Sequence, residues 1–332
     1  MCSKINICKG KINYLVDLDQ QAGVGADPAK SKGMRPPCWS AARRNAAIAV
    51  AAVVALAASI SARADAAWGN FHDPHPVRIL GYSGDAMEPF ISRDGRYLLF
   101  NNLNDAATNT DLYWAERLDD DTFRYRGPIR GANSAALDGV ASMSRNSILY
   151  FISPRSYNAT ASTVYRGHFS AGAATSVQLV SGLSAPTPLR VIFDAEVSAD
   201  GASLWLTDST YGFLAPLTAD LALARRAGTG FARDPASARL LLAINTPALE
   251  YAPDVSADQR ELFFTRLDGA TPSLYRSQRA SATAPFPLAR RIAAITGFSE
   301  GPSISPDGRS LYFHHKVGAT YQIWRVSRTH SS

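Results

Sequence analysis

The chain has 332 residues, with 34 Lys and Arg against 28 Asp and Glu and a formal charge of +6. Residues 1–66 hold 9 of those basic and 4 of those acidic residues, so residues 67–332 stand at 25 against 24. That near-neutral balance excludes the basic footprint of a nucleic-acid or anionic-membrane binder. All 3 cysteines, Cys2, Cys8 and Cys38, lie in the first segment and leave no disulfide for the rest.

Residues 1–33 are Lys-rich and precede what reads as a complete export signal beginning at Met34, which is the expected true start. Arg43-Arg44 supplies a basic head, residues 46–60 an uncharged apolar run, and Ala62-Arg63-Ala64-Asp65-Ala66 two small-residue cleavage sites. The uncharged run falls short of the roughly 18 residues that a membrane span needs, so cleavage is expected rather than anchoring. No Cys follows it to take a lipid. The chain therefore divides into a leader and signal peptide, 1–66, and one domain, 67–332. That domain is expected as a periplasmic or secreted monomer with no stable membrane insertion.

His72-Asp73-Pro74-His75 opens the domain in a Pro-rich stretch with no second ligand cluster to make a metal site, and reads as a solvated loop. Pro76-Val77-Arg78-Ile79-Leu80 follows and resembles the later run Arg290-Arg291-Ile292-Ala293-Ala294-Ile295. From there on the chain repeats itself. The motif Ser305-Pro306-Asp307-Gly308-Arg309-Ser310-Leu311 has four upstream copies led by Ser92, Ser144, Ser198 and Ser256, at intervals of 52, 54, 58 and 49 residues. These intervals are slightly longer than the usual propeller-blade period of about 40–50 residues.

Asp-Gly between apolar runs predicts a two-residue primed turn, with the preceding Ser hydroxyl tying it. Asn146-Ser147, one residue short, and Gln259, where Gly is expected, put the turns of the second and fourth repeats in question. After each turn the apolar runs 97–100, 148–152, 204–206, 262–265 and 311–313 predict second strands. Third strands are predicted at 111–114, 163–166, 220–223, 273–276 and 322–325, and fourth strands at 123–129, 176–180, 239–244 and 290–295. The last repeat lacks a fourth strand, and residues 76–80 are predicted to supply it, closing a ring and burying both open edges. The expected fold is all-β: a propeller of five four-stranded blades.

The pattern Glu-x-Pro-x-Ile-Ser-Pro-Asp-Gly-Arg-x-Leu-Tyr-Phe, carried by residues 300–313 and loosely by 88–100, resembles the β-propeller repeat of TolB-like and tricorn-like WD-type proteins. The resemblance covers residues 88–328. It implies six blades, which stays open beside the five that the repeats count. It also implies an α/β domain ahead of the propeller for which the ten or so residues before the first strand leave no room, so a Tol-system role does not transfer.

Chemistry is sparsely written. At least one carboxylate precedes each turn: Asp85 and Glu88, Asp138, Asp194 and Glu196, Glu250 and Asp254, and Glu300. In a propeller these positions converge on one channel mouth, where they could form an acidic ring that captures a cation or a basic peptide segment. Equally, a residue type recurring in every repeat can serve the architecture, accepting backbone hydrogen bonds from a neighbouring blade. No cofactor motif, phosphate loop or Gly-x-Ser-x-Gly elbow occurs; calcium on the ring is the one cofactor alternative.

His314-His315 are expected on opposite strand faces, one of them toward the channel or a blade interface. Aromatics in register, such as Phe100, Tyr113, Phe151 and Trp324, are expected between blades, and the irregular Trp68, Trp205 and Tyr211 on a recognition surface. The expected function is a non-catalytic binding scaffold for a protein or peptide partner in the cell envelope. The alternative is a five-bladed glycoside hydrolase, which needs two carboxyls about 5–9.5 Å apart, with Asp194, Glu196, Glu88 and Glu250 as candidates.

Overall fold

The computed structural model describes residues 68–330 apart from 106–108, 186, 188 and 213–215. The proposed leader and signal peptide lie outside the described residues. Among the described residues no helix is long and apolar enough to cross a membrane.

Five antiparallel sheets form a five-bladed β-propeller. Blade 1 runs Met87–Ile91, Tyr97–Asn101, Leu112–Arg117 and Thr122–Pro128 from the channel outward, and blade 2 runs Gly139–Met143, Ile148–Ile152, Val164–Ser170 and Ala173–Leu179. Blade 3 is Arg190–Val197, Ser203–Tyr211, Pro216–Ala227 and Gly230–Arg233, and blade 4 is Leu249–Val255, Glu261–Leu267, Pro272–Gln278 and Arg290–Arg291. Blade 5 has Ser299–Ile304, Ser310–Val317 and Thr320–Ser327, with His72–Pro76 as its outer strand.

Ring closure is made one step earlier than predicted. His72–Pro76, read from the sequence as a loop, pairs with the third strand of blade 5, while Arg78–Leu80 crosses to blade 1 and adds a parallel fifth strand at its outer edge. One short segment thus fastens both sides of the seam, and Val77 between the two strands donates its N–H to the Ile323 carbonyl at 2.8 Å. The outer strand of blade 3 is also displaced: residues 230–233 pair with the third strand, and the expected strand at 239–244 instead begins in a helical turn, Ser237–Leu240.

The turn motif acts through its side chains. Ser92, Ser198, Ser256 and Ser305 each donate Oγ–H to the Asp two residues on, at 2.5–2.6 Å, and each Oγ accepts a backbone N–H five residues on at 2.9 Å. The backbone turn differs from the predicted primed type. The carbonyl of each leading Ser accepts the N–H three residues on, and that residue alone is left-handed: Gly95 (φ 72°), Ser147 (57°), Gly201 (71°), Gln259 (56°) and Gly308 (74°). This is a type I turn followed by one left-handed residue, a longer hairpin connection that asks for a single positive φ. Ser147 and Gln259 adopt it too, so all five repeats keep the turn, and blade 2 closes its hairpin one residue sooner, with the Ser144 N–H on the Ile148 carbonyl.

Second strands have two buried faces. Leu98 and Phe100 enter a cluster shared with blade 5, while Leu99 between them enters the cluster shared with blade 2. Leu149 and Phe151 face blade 1, Tyr150 and Ile152 face blade 3. Period-two alternation therefore feeds two cores at once, which is why these runs read as continuously apolar.

Candidate functional site

Each inner strand carries one extra residue relative to its partner strand: between Met87 and Phe90, Gly139 and Ser142, Ile192 and Asp194, Tyr251 and Asp254, and Glu300 and Ser303. In four blades the bulge puts a residue at positive φ: Glu88 (49°), Val140 (54°), Ala252 (49°) and Gly301 (62°). Such bulges re-aim backbone groups, and here the freed N–H groups point across blade boundaries. Val140 N–H bonds Asn101 Oδ1 at 3.1 Å, Gly301 N–H bonds Thr265 Oγ1 at 3.2 Å, and Glu88 N–H bonds His314 Nδ1 at 3.3 Å. Ala252 N–H reaches Asp194 Oδ2 at 2.9 Å, which Thr207 Oγ1 also donates to at 2.9 Å.

A second tier lies nearer the turns. Ser142 Oγ accepts Val197 N–H at 2.8 Å, Ser303 Oγ accepts Ile91 N–H at 3.1 Å, and Asp254 Oδ2 accepts Ile304 N–H. Arg93, from the turn of blade 1, crosses to blade 3, pairs with Glu196 and donates to the Val197 carbonyl at 2.8 Å. Both side chains of this pair are buried, 4% and 6% exposed, so Arg93 plugs the turn-side end of the channel. What remains open is a cavity of about 30 Å³ lined in part by Glu88, Asp194, Glu196 and Asp254. Blade 2 contributes Val140, Ala141 and Ser142 there, so the predicted ring has no carboxylate from that blade.

At the opposite mouth, Glu300 accepts a hydrogen bond from Tyr251 Oη, and its Oε2 lies 3.1 Å from His314 Nε2. His314 Nδ1 accepts the Glu88 N–H, so Nε2 is the protonated nitrogen that donates to Glu300. Burial holds a second proton off this ring, but the facing Glu88 and Glu300 outweigh it, and its pKa moves up. Burial raises Glu88 as well, against the pull of His314. Asp194 is pushed up to about 8 by burial and by Glu88, and Asp254 up to about 6 by burial, against the attraction of Arg93. Gly301 is required here: a Cβ would lie 2.6 Å from Glu88 Oε2 and 3.0 Å from His314 Nδ1.

The remaining predicted carboxylates stand away from the cavity. Asp85 accepts the Tyr321 N–H at 2.7 Å across the seam. Asp138 holds Ser134 and Arg155, and Glu250 holds Thr246 and Arg266 in the same way, with each Arg lying over the Tyr of its third strand. These two sites are one repeat feature seen twice. The recognition surface predicted for Trp205 and Tyr211 is also corrected, since both are buried between strands, and Trp68 stacks on His330 with ring centroids 3.7 Å apart.

Sequence reasoning missed Arg93, Tyr251 and the buried polar residues Asn101, Thr207 and Thr265, which share with His314 one register near the end of the second strand, where blade 2 carries Ile152. A signal was available, because a polar residue in that register in four of the five repeats needs a buried partner. Around the mouth Tyr211, Phe193 and Tyr251 touch in succession, Tyr251 reaches Glu300, and His314, Tyr321 and Phe298 continue the contacts into blade 5. Among the described residues no group of three or more His, Cys, Asp or Glu is arranged to hold a metal ion.

No protein-family model and no curated protein matches the sequence. Solved structures do. TolB from Acinetobacter baumannii matches at 15% identity over 72% of this chain and 53% of its own, with a TM-score of 0.41. A family 117 glycoside hydrolase of the marine bacterium Zobellia galactanivorans matches at 9% identity over 79% and 91%, TM-score 0.52. The α-L-arabinofuranosidase of Podospora anserina in complex with cellotriose matches at 11% identity over 79% and 96%, TM-score 0.50. The chain spans 53–64% of the two TolB chains it matches. At these identities the likeness is one of fold alone: the protein is a five-bladed β-propeller.

Proposed function

We propose that this protein is a non-catalytic binding propeller of the cell envelope, taking a protein or peptide segment at the mouth where the inner strands begin. The observation that carries this reading is that every candidate carboxylate already has a protein partner. Asp194, Asp254, Glu196, Glu300 and Asp85 each bond a neighbouring or facing blade, and Glu88, which accepts from Asn104 at 3.0 Å, Asp138 and Glu250 are held within their own. Glycoside hydrolysis needs one carboxyl as acid and a second as nucleophile or base. Here the groups that could fill those roles hold the ring together.

The mouth itself offers what partner recognition uses. Phe193, Tyr251, Phe298 and Tyr321 are half-buried rings around a floor of Glu300 and Glu88, and aromatic anchors of this kind dominate interface energies. Leu189 and Leu217, 52% and 69% exposed, flank Tyr211 on the rim of blade 3. The full chain, immobilised and challenged with envelope extract, should retain a partner that Phe193→Ala and Tyr321→Ala fail to retain. It should also release no reducing sugar from a panel of polysaccharides. Sugar release by the parent, abolished in Asp194→Asn, would overturn the reading in favour of an enzyme.

A further inference from the structure

The turn-side end of the channel holds two buried polar atoms that no protein group answers. Arg93 reaches across from the turn of blade 1 and spends one terminal nitrogen on Glu196 and the Val197 carbonyl, while its Nε–H has no partner. Asp254 in blade 4 is 2% exposed; its Oδ2 accepts the Ile304 N–H, and its Oδ1 has no partner. The Val255 N–H acts on that carboxylate electrostatically without closing a hydrogen bond to Oδ1. Arg93 and Asp254 stand close enough for each to feel the other's charge, yet make no direct hydrogen bond. A buried donor and a buried acceptor left in this way cost free energy unless something bonds both.

We propose that an ordered water is bound here as a structural ligand, accepting from Arg93 Nε–H and bonding Asp254 Oδ1. Space and charge select it. The cavity above Arg93, about 30 Å³ and lined on its turn side by Ser142, Glu196, Asp254 and Ser303, exceeds the roughly 10–15 Å³ that one water needs and is far too small for an organic ligand. A cation there would face the Arg93 guanidinium, and an anion would face Glu196 and Asp254. A neutral molecule that both donates and accepts meets neither repulsion. Ser142 and Ser303 supply the further partners that buried water usually has, since each Oγ accepts a backbone N–H and keeps its own proton to donate.

Water also suits both protonation states of Asp254. Burial lifts that carboxyl to about 6, against the attraction of Arg93; Glu196 and Arg145 are the other charges at this end of the channel, and Glu88 and Asp194 line the far end. Oδ2 accepts the Ile304 N–H, so the proton sits on Oδ1. Above about pH 6 the water donates to Oδ1, and below it Oδ1–H donates to the water, which a bound ion could not follow. Arg93 then ties blade 1 to blade 3 directly and to blade 4 through the water, and Asp254 carries the tie on to blade 5. The bridge does not depend on what docks at the mouth.

The test is solvent contact at one nitrogen, read by NMR of the full chain with isotope-labelled arginine. The Nε–H of Arg93, assigned by its loss in Arg93→Lys, should show a cross-peak to water with the sign of a long-lived bound molecule. Arg226, whose Nε donates directly to the Gly201 carbonyl at 3.0 Å, should show none of that sign. Asp254→Leu should abolish the Arg93 cross-peak, and Asp254→Asn, which keeps a polar partner there, should retain it. Should a variant fail to fold, a crystal structure of the parent decides, with solvent density expected within hydrogen-bond distance of both Arg93 Nε and Asp254 Oδ1. No long-lived water at Arg93, a cross-peak unchanged in Asp254→Leu, or a direct Arg93–Asp254 ion pair in the crystal would overturn the proposal.

Discussion

At the scale of single residues the repeat motif is explained by hydrogen bonds. The Ser305 hydroxyl donates to Asp307 and accepts the Ser310 N–H, so Ser305→Ala removes two bonds and should cost about 1–2 kcal/mol in urea unfolding. Gly308→Ala should also destabilise, because its φ is 74° and its Cβ would meet the Trp68 ring at 2.9 Å. Arg93 is a different case. Removing it as Arg93→Ala leaves Glu196 buried and unpaired and should cost roughly 3–5 kcal/mol, whereas the apolar double variant Arg93→Met with Glu196→Leu should recover most of that loss. The motif residues were legible because a local turn needs only local partners. Arg93 was not, because its partner lies 103 residues away and no local pattern announces that contact.

At the scale of elements, second and third strands followed from apolar periodicity, since each has two faces to bury. Outer strands followed in blades 1, 2 and 4, although in blade 4 only Arg290–Arg291 of the expected 290–295 is strand. In blade 3 residues 239–244 mimicked a strand by burying Leu240, Leu241 and Ile244 from a helical turn and the residues after it. Phe151 is fully buried between blades 1 and 2, and Phe151→Ala should cost about 3–5 kcal/mol, measured by denaturant midpoint at constant slope. The closing strand adds a pH-dependent latch. His75 Nε2 lies 2.7 Å from Asp121 Oδ1, and the hydrogen bond to Asp121 raises its pKa. The stability it adds is present below its ordinary pKa of about 6.5 and is lost as pH rises through the raised value. The melting advantage of the parent over His75→Ala should therefore be largest in acid and shrink toward alkaline pH.

For the molecule as a whole, the buried carboxylates of the channel set the pH profile. Asp194 and Asp254 hold protons in the folded chain to about 8 and about 6, against 3.8 for the ordinary side chain. The folded state thus binds protons that the unfolded chain releases, and stability present below about pH 4 is lost as pH rises through those values. Melting temperature should fall between about pH 5 and about pH 9, and Asp194→Asn should flatten that fall. An unchanged slope in the variant would assign the dependence to other groups.

Sequence by itself determined the blade count, the turn positions and the carboxylates, because a repeated unit that cannot bury its own faces must stack on copies of itself. It also placed one of the two adjacent histidines toward the channel or a blade interface, since strand alternation separates them. Only the tertiary structure decided which strand closes the ring, and which carboxylates reach the channel. Asp138 and Glu250 stand further ahead of their turns than Glu88 and Asp194 do, and they pair with Arg155 and Arg266 instead. The physical reason is that a bulge, a crossing arginine and a seam strand are set by partners on other blades, where chain spacing carries no information about distance.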